Sequence, residues 1–221
     1  MNDFSNALIE LLPSADKSVL LRKAKIVDLN VGDVLCTPVS GSSKIYFPVS
    51  GTIAARVVCK TKASVPSLTL NLGGAEGAVG LEAALGFSGS HLQWVVQSPG
   101  EAFIFEVSSL QRFLRTRRAV TLEISRYLWK FYDQVAVLAS QCYGQSINAR
   151  LAKWLVLSSQ RCAPDPLFLT HEQISLMLGV RRASVTTAAT ELRRKGYISY
   201  NRGHINLLDL PALEALADLT V

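Results

Sequence analysis

Arg182, Thr186, Thr187, Arg193 and Arg194 crowd into one short stretch of a 221-residue chain. Guanidinium groups and hydroxyls in that mixture hydrogen-bond phosphate oxygens and base edges; they make neither an acid–base pair nor an activated nucleophile. The residues between them, Val185, Ala188, Ala189 and Leu192, recur at helical spacing up to Gly196. The polar side chains therefore share the opposite face of one helix. Thr170, His171, Arg181, Ser184 and Arg202 flank that face and complete the set of candidate nucleic-acid contacts. An ordinary helical hairpin buried in a core would carry a mixed-sign outer face, and this one is cationic.

The elements that must position these residues run from Leu169 to Leu208. Thr170 and Gln173 have the capping-box spacing. Ile174, Met177 and Leu178 follow at helical spacing, so a short helix is expected from about residue 171 to Leu178. Gly179 supplies the turn, Ser175 is small where two helices must approach, and a second helix begins near Arg182. YISY, the tip NRG and HINLL then read as a β-hairpin. Together these make a helix-turn-helix with a wing. Charge follows the same boundaries. Ser146–His204 holds 9 Lys/Arg against 3 Asp/Glu, while Met1–Gln145 holds 14 against 11 and the last seventeen residues hold 3 acids and no base. The chain's net +6 is thus densest where phosphates would be met.

Upstream, Asp3 to Lys25 reads as helical with an interruption at Pro13-Ser14. Ile26 to Val107 reads as short strands punctuated by Gly32-Asp33, Gly51, Gly73-Gly74 and Pro99-Gly100, the spacing of an antiparallel roll. Gly77 to Gly89 interrupts that pattern with a short helix and a glycine-rich entry. Ser108 to Cys142 is a long helical stretch broken near Thr116. In it Val120, Ile124, Leu128, Phe131, Val135, Leu138 and Cys142 alternate at spacings near a heptad seam, which predicts a parallel contact between two identical chains. Tyr127, Trp129 and Tyr132 widen that apolar surface. A linker near Tyr143-Gly144 leads to a helix over Ile147–Ser159, whose Ile147, Leu151, Trp154 and Leu155 floor the last domain. The expected fold is α+β: an N-terminal β-roll or jelly-roll sensor domain at 1–115, a long dimerisation helix at 116–143, and a winged helix-turn-helix at 144–221.

Several classes are disfavoured by composition. Cys36, Cys59, Cys142 and Cys162 are scattered without a C-x-x-C pair, and His91, His171 and His204 lack ligand spacing, so no metal and no cofactor is expected. No apolar run reaches membrane-span length, and the start MNDFSNALIELL is not a secretory signal. A reduced, soluble cytoplasmic protein is expected.

With these residues in view, the chain resembles the Crp/Fnr family of bacterial transcription regulators along nearly its whole length. The resemblance rests on IYFPVSGTI after a Gly-Asp turn, on the order barrel, long helix, winged helix, on NARLAKWLV, and on LTHEQISLMLGVRRASVT. It implies a β-roll sensor, a homodimer through the long helix, a two-fold symmetric site on double-stranded DNA, and RNA polymerase as a further candidate partner. Cyclic-nucleotide binders of the family carry Gly-Glu and Arg-Ser or Arg-Thr where this chain carries Gly77-Ala78 and Leu92-Gln93. The resemblance thus places a candidate effector pocket at Gly77, Ala78, Gly80, Leu92 and Gln93. An apolar Leu92 cannot neutralise a phosphate, and Val135 and Ala136 replace the polar residues that meet the base, so control by cyclic AMP is not expected. The effector is another small molecule, or there is none. The cysteine cluster of oxygen-sensing members is absent too. On the recognition helix Arg182 can still pair with guanine, Ala183 replaces an acid, and Arg181 replaces a capping Ser.

Two readings from other classes compete. A cupin-like barrel enzyme needs clustered His and carboxylate ligands, and only His91 lies in the roll. A protein-interaction module with a winged helix that binds no DNA does not account for Arg182, Arg193, Arg194 and Arg202.

Overall fold

The computed structural model describes residues 5–37, 43–58, 68–87, 91–161, 167–201 and 203–217, and within them the side chains of all but residues 141–143. Near its start Asn6 is 1% exposed. Its carboxamide oxygen accepts from Ile9 N–H at 3.2 Å and caps α1 (Ala7–Glu10). The same side chain's NH2 donates to the carbonyls of Pro48 (2.7 Å) and Gly77 (2.8 Å), so one buried amide ties the N-terminal helix to the roll. Pro13 precedes α2 (Ser14–Leu21), which agrees with the interruption read from the sequence.

Among the described residues seven strands follow: β1 (Lys25–Leu29), β2 (Val34–Cys36), β3 (Lys44–Pro48), β4 (Thr52–Val57), β5 (Leu68–Gly73), β6 (Leu92–Ser98) and β7 (Gly100–Glu106), with α3 (Leu81–Ala84) between β5 and β6. They pair antiparallel in two sheets, ordered β1-β7-β3 and β2-β6-β4-β5. The β6–β7 turn presses on the β3–β4 turn so closely that a Cβ on Gly100 would lie 2.4 Å from the Ser50 carbonyl, a contact only glycine tolerates. Between the sheets lie Leu29, Ile53, Ala55, Val79, Trp94, Val96 and Ala102.

Next come α4 (Val107–Thr116) and α5 (Arg118–Gly144), divided at Arg117. There Nη1 of Arg117 donates to Asp16 Oδ1 at 2.8 Å, which fixes the break against α2. The second half comprises α6 (Ile147–Arg161), β8 (Leu167–Phe168), α7 (His171–Leu178), α8 (Arg182–Arg194), β9 (Ile198–Asn201), β10 (His204–Leu207) and α9 (Leu210–Ala217), with a sheet ordered β8-β10-β9. Leu151, Leu155, Ile174, Val185, Leu192, Ile205 and Leu213 share its core with Ala54 and Leu72 of the roll. The two halves therefore pack as one body along β4 and β5.

Three expectations need correction. α5 continues through Tyr143-Gly144, so the chain bends one residue or two later. β8 and α9 were not anticipated. The residues of the expected heptad seam also pack within their own chain. Val120 (1% exposed) and Ile124 (2%) are buried against Leu110, Leu114 and Ile9 of their own chain. Leu128 packs on the same cluster, Phe131 on Trp94, and Leu138 on the second-half core; Val135 is half-buried. This stripe faces inward because α5 must cover the open side of the roll. The outward face instead carries Leu122 (50%), Trp129 (69%), Tyr132 (62%) and Val137 (44%).

Candidate nucleic-acid interface

Two helices and a turn present the polar residues. Thr170 Oγ1 accepts from Gln173 N–H at 3.2 Å, while Gln173 Oε1 accepts from Thr170 N–H at 2.8 Å, a reciprocal cap that starts α7 where the spacing placed it. α7 ends at Gly179 in the left-handed region (φ +63°), a conformation side chains with a Cβ adopt at a cost. α8 then buries Val185, Ala188, Ala189 and Leu192. Its other face exposes Arg182, Ala183, Thr186, Thr187, Thr190, Arg193 and Arg194. Glu191, the helix's one acid, accepts from Asn148 Nδ2 at 2.6 Å and pairs with Lys195 at 3.2 Å, so its carboxylate is already partnered. These partners hold its carboxyl below the usual range, Asn148 most of all.

Each sequence candidate has a definite place. Arg181 is the N-cap of α8, exposed and without a side-chain cap bond. Ser184 is half-buried in the first turn. The hydroxyls of Thr186 and Thr187 donate to the carbonyls of Arg182 (3.1 Å) and Ala183 (3.2 Å). The Thr170 hydroxyl donates to Gln173 Oε1 at 3.0 Å, so its proton is already committed. His171 Nδ1 and Thr186 Oγ1 share a hydrogen bond at 3.0 Å, and the imidazole stacks on Tyr200 of β9 at 4.6 Å and 19°. Burial and then the Arg182 charge lower its pKa. His171 thus bridges α7, α8 and the wing rather than pointing to solvent. Arg202 lies outside the described residues.

The candidate effector residues separate. Ala78 and Leu92 line a cavity of about 250 Å³ with Trp94, Tyr127, Leu128 and Phe131, as do Leu81, Glu82, Leu85 and Phe87. Gln93 is not among its walls, because alternation along β6 turns it to the face opposite Leu92 and Trp94. Gly77 is covered: a Cβ there would lie 2.2 Å from the Tyr127 ring, and the Tyr127 hydroxyl donates to the Ala78 carbonyl at 3.3 Å. Gly80 takes φ +86° ahead of α3 and does not reach the cavity, and neither do Val135 and Ala136. Of the cavity walls the sequence pointed only to Ala78 and Leu92; the inward alternation Leu92, Trp94, Val96 is the signal that could have found Trp94. Nearby, burial and Glu82 push the Cys36 thiol up to about 11, so it stays protonated and unreactive near neutrality. Cys59 and Cys162 lie outside the described residues, as does the side chain of Cys142. Among the described residues no cluster of His, Cys, Asp and Glu could hold a metal ion, and no helix is long and apolar enough to cross a membrane.

Residues 149–216 match the Crp-like helix-turn-helix domain family. The chain is similar to the transcriptional regulator SdrP of Thermus thermophilus, 34% identical over 100 residues. That match covers 43% of this chain and 48% of the relative, about half its length. Its fold is similar to that of FixK2 from Bradyrhizobium japonicum, with a TM-score of 0.75, 14% identity, and coverage of 90% of this chain and 99% of that one. It is similar also to TTHB099, a transcriptional regulator of the CRP family from Thermus thermophilus, with a TM-score of 0.70, 19% identity, and coverage of 86% and 96%. At these identities the two structures show a common fold: roll, long helix and helix-turn-helix in the same order.

Proposed function

We propose that the chain is a sequence-specific DNA-binding transcriptional regulator of the Crp/Fnr type, a reading supported by the match of residues 149–216 to the Crp-like helix-turn-helix domain family. The observation that carries the reading is the outward face of α8, which offers Arg182, Arg193 and Arg194 with three threonines, while the helix's one acid, Glu191, is held by Asn148 and Lys195. Such a face suits a major groove flanked by phosphates. In this reading Arg182 reads a base edge, Thr186, Thr187 and Ala183 meet base or sugar surfaces, and Arg181, Ser184, the Thr170 turn and Arg202 meet the backbone. His171 positions α8 against α7 and the wing.

Residues 1–115 act as sensor, 116–143 as dimerisation helix and 144–221 as DNA-binding domain, and the working unit is a homodimer on a two-fold symmetric site. Its seam is the outward stripe of α5, where Leu122, Ser125, Trp129, Tyr132, Ala136 and Ala139 are all exposed and alternate at steps of three and four. The Trp129 and Tyr132 rings already lie 5.4 Å apart. The protein is not an enzyme and works in the compartment that holds its DNA. Cyclic AMP does not control it in this reading, because among the described residues the cavity walls include no Lys, Arg or His to pair a phosphate.

Selection of bound sequences from a random DNA pool tests this reading. A two-fold symmetric motif with half-sites about one helical turn apart is expected. Recovery of unrelated sequences would contradict it.

A further inference from the structure

We propose that Asn148 and Arg150 of α6 are positioning residues that set the angle of α8 against α7, and through that angle the base preference of the DNA-binding face. The proposal rests on the reading of the chain as a DNA-binding regulator. It gives a role to the stretch NARLAKWLV, which that reading leaves unused.

Apolar packing alone leaves the angle open. Leu151 and Leu155 of α6, Ile174 of α7, and Val185 and Leu192 of α8 share one cluster, and the burial that draws them together is non-directional. Ser175, Ala188 and Ala189, all buried, are too small to interlock deeply. Between Gly179 (φ +63°) and the start of α8 stand only Val180 and Arg181. That link fixes where the two helices meet, and leaves their tilt to other contacts.

Hydrogen bonds from α6 supply the direction. Ser146 Oγ accepts from Ala149 N–H at 3.2 Å, which steadies the first turn of α6. From that turn Asn148 Nδ2 donates to Glu191 Oε2 at 2.6 Å, a charge-assisted bond to the end of α8. Two residues on, the Arg150 guanidinium donates to the carbonyl of Leu178, the last residue of α7. As one of the last four carbonyls of its helix, this one has no partner within α7, and a cation beside it also complements the helix dipole. Side chains two residues apart leave a helix on nearly opposite sides. α6 therefore holds α8 from one flank and α7 from the other. The lever is long: Glu191 and Arg182 stand roughly 14 Å apart along α8, so a tilt of about 10° moves one against the other by about 2 Å. A shift of that size breaks a bidentate contact to a base edge.

The test measures, for the full chain, the ratio of affinities for the selected site and for unrelated DNA of equal length. Melting curves on the same samples confine the comparison to folded protein. Asn148→Ala and Arg150→Met should each lower the ratio about three- to tenfold. Asn148→Asp, which sets two carboxylates against each other, should lower it at least as far. Adding Glu191→Gln to Asn148→Asp reverses the bond at unchanged net charge, and should bring the ratio back to within about twofold of wild type. Arg150→Lys keeps a cationic donor and should hold the ratio within the same range. Lower melting temperatures with the ratio unchanged would show a stabilising role only and overturn the proposal. A double substitution no better than Asn148→Asp alone would overturn it too. A wild type that prefers no sequence removes the regulator reading and this proposal with it. A wild type that prefers a site, while every variant keeps its ratio, removes the positioning role alone.

Discussion

Arg161, the last residue of α6, donates from Nε to Glu76 Oε1 at 2.6 Å, across the junction between the winged-helix half and the loop that leads to the cavity. Its Nη2 donates to Gln134 of α5 at 3.0 Å, and Asn71 of β5 donates to that same carboxamide oxygen at 3.1 Å. Roll, long helix and winged helix therefore meet at one guanidinium whose side chain is 7% exposed. Gln97 of β6 donating to Met177 Sδ at 3.5 Å and Leu68 against Gly179 extend the junction along α7.

Removing the acid should expose the cost of that arrangement. Glu76→Ala leaves a nearly buried charge without its counter-ion, while Glu76 itself is 42% exposed. The loss should lie between the values for surface and buried pairs, about 1–2 kcal/mol in urea unfolding. Adding Arg161→Met should recover part of it by removing the stranded charge. No change in either variant would mean that the pair holds nothing.

The Tyr127 ring occupies the space above Gly77, so Gly77→Ala should destabilise the fold by about 1–3 kcal/mol through overpacking. Combining it with Tyr127→Ala should cost less than the two single changes summed, a coupling that a double-mutant cycle reads directly. Additive losses would show that the two residues do not press on each other.

Trp129→Glu should give a monomer in light scattering without lowering the melting temperature of the monomeric fold, since Trp129 is 69% exposed. Ile124→Glu should unfold the chain instead, because it buries a charge in the chain's own core. A Trp129→Glu protein that stays dimeric would place the seam elsewhere.

The difference between those two residues shows what was legible in the sequence. A step pattern of three and four says that one stripe of a helix is apolar; it does not say what covers it. α5 carries two such stripes, and the more aliphatic one, through Val120 and Ile124, belongs to the roll. Local signals served well: Thr170 with Gln173, the stripe Val185 to Leu192, and the break beside Thr116 are short-range patterns that the structure reproduces. Glu76 with Arg161, Tyr127 with Gly77, and Trp94 with Phe131 are pairs between distant elements. No period or spacing marks them, so the cavity and the junction became visible only in three dimensions. α9 escaped because Leu210–Ala217 is apolar nearly all round, and β8 because two residues carry no period.

His171 supplies a pH dependence. Burial and Arg182 lower its pKa from the ordinary 6.5, so the folded chain binds fewer protons than the unfolded one just below that value. Stability should be complete above pH 6.5 and fall as the pH drops through it toward the lower folded value. Thermal unfolding of the wild type and His171→Phe across about pH 5 to 7.5 checks this. The variant should lose that part of the slope, and an identical slope in both would assign it to other groups.

The central claim is that the outward face of α8 reads DNA, and the most direct measurement is affinity for the selected site and its single-base variants across a salt series. Arg182→Ala should cost about 1–3 kcal/mol on the preferred site and flatten the preference at one base pair per half-site. Arg181→Ala, at the exposed N-cap, should weaken all sequences alike and lower the salt slope by about one for each phosphate no longer neutralised. If neither substitution changes affinity or salt slope, α8 is not the surface that meets DNA and the account fails.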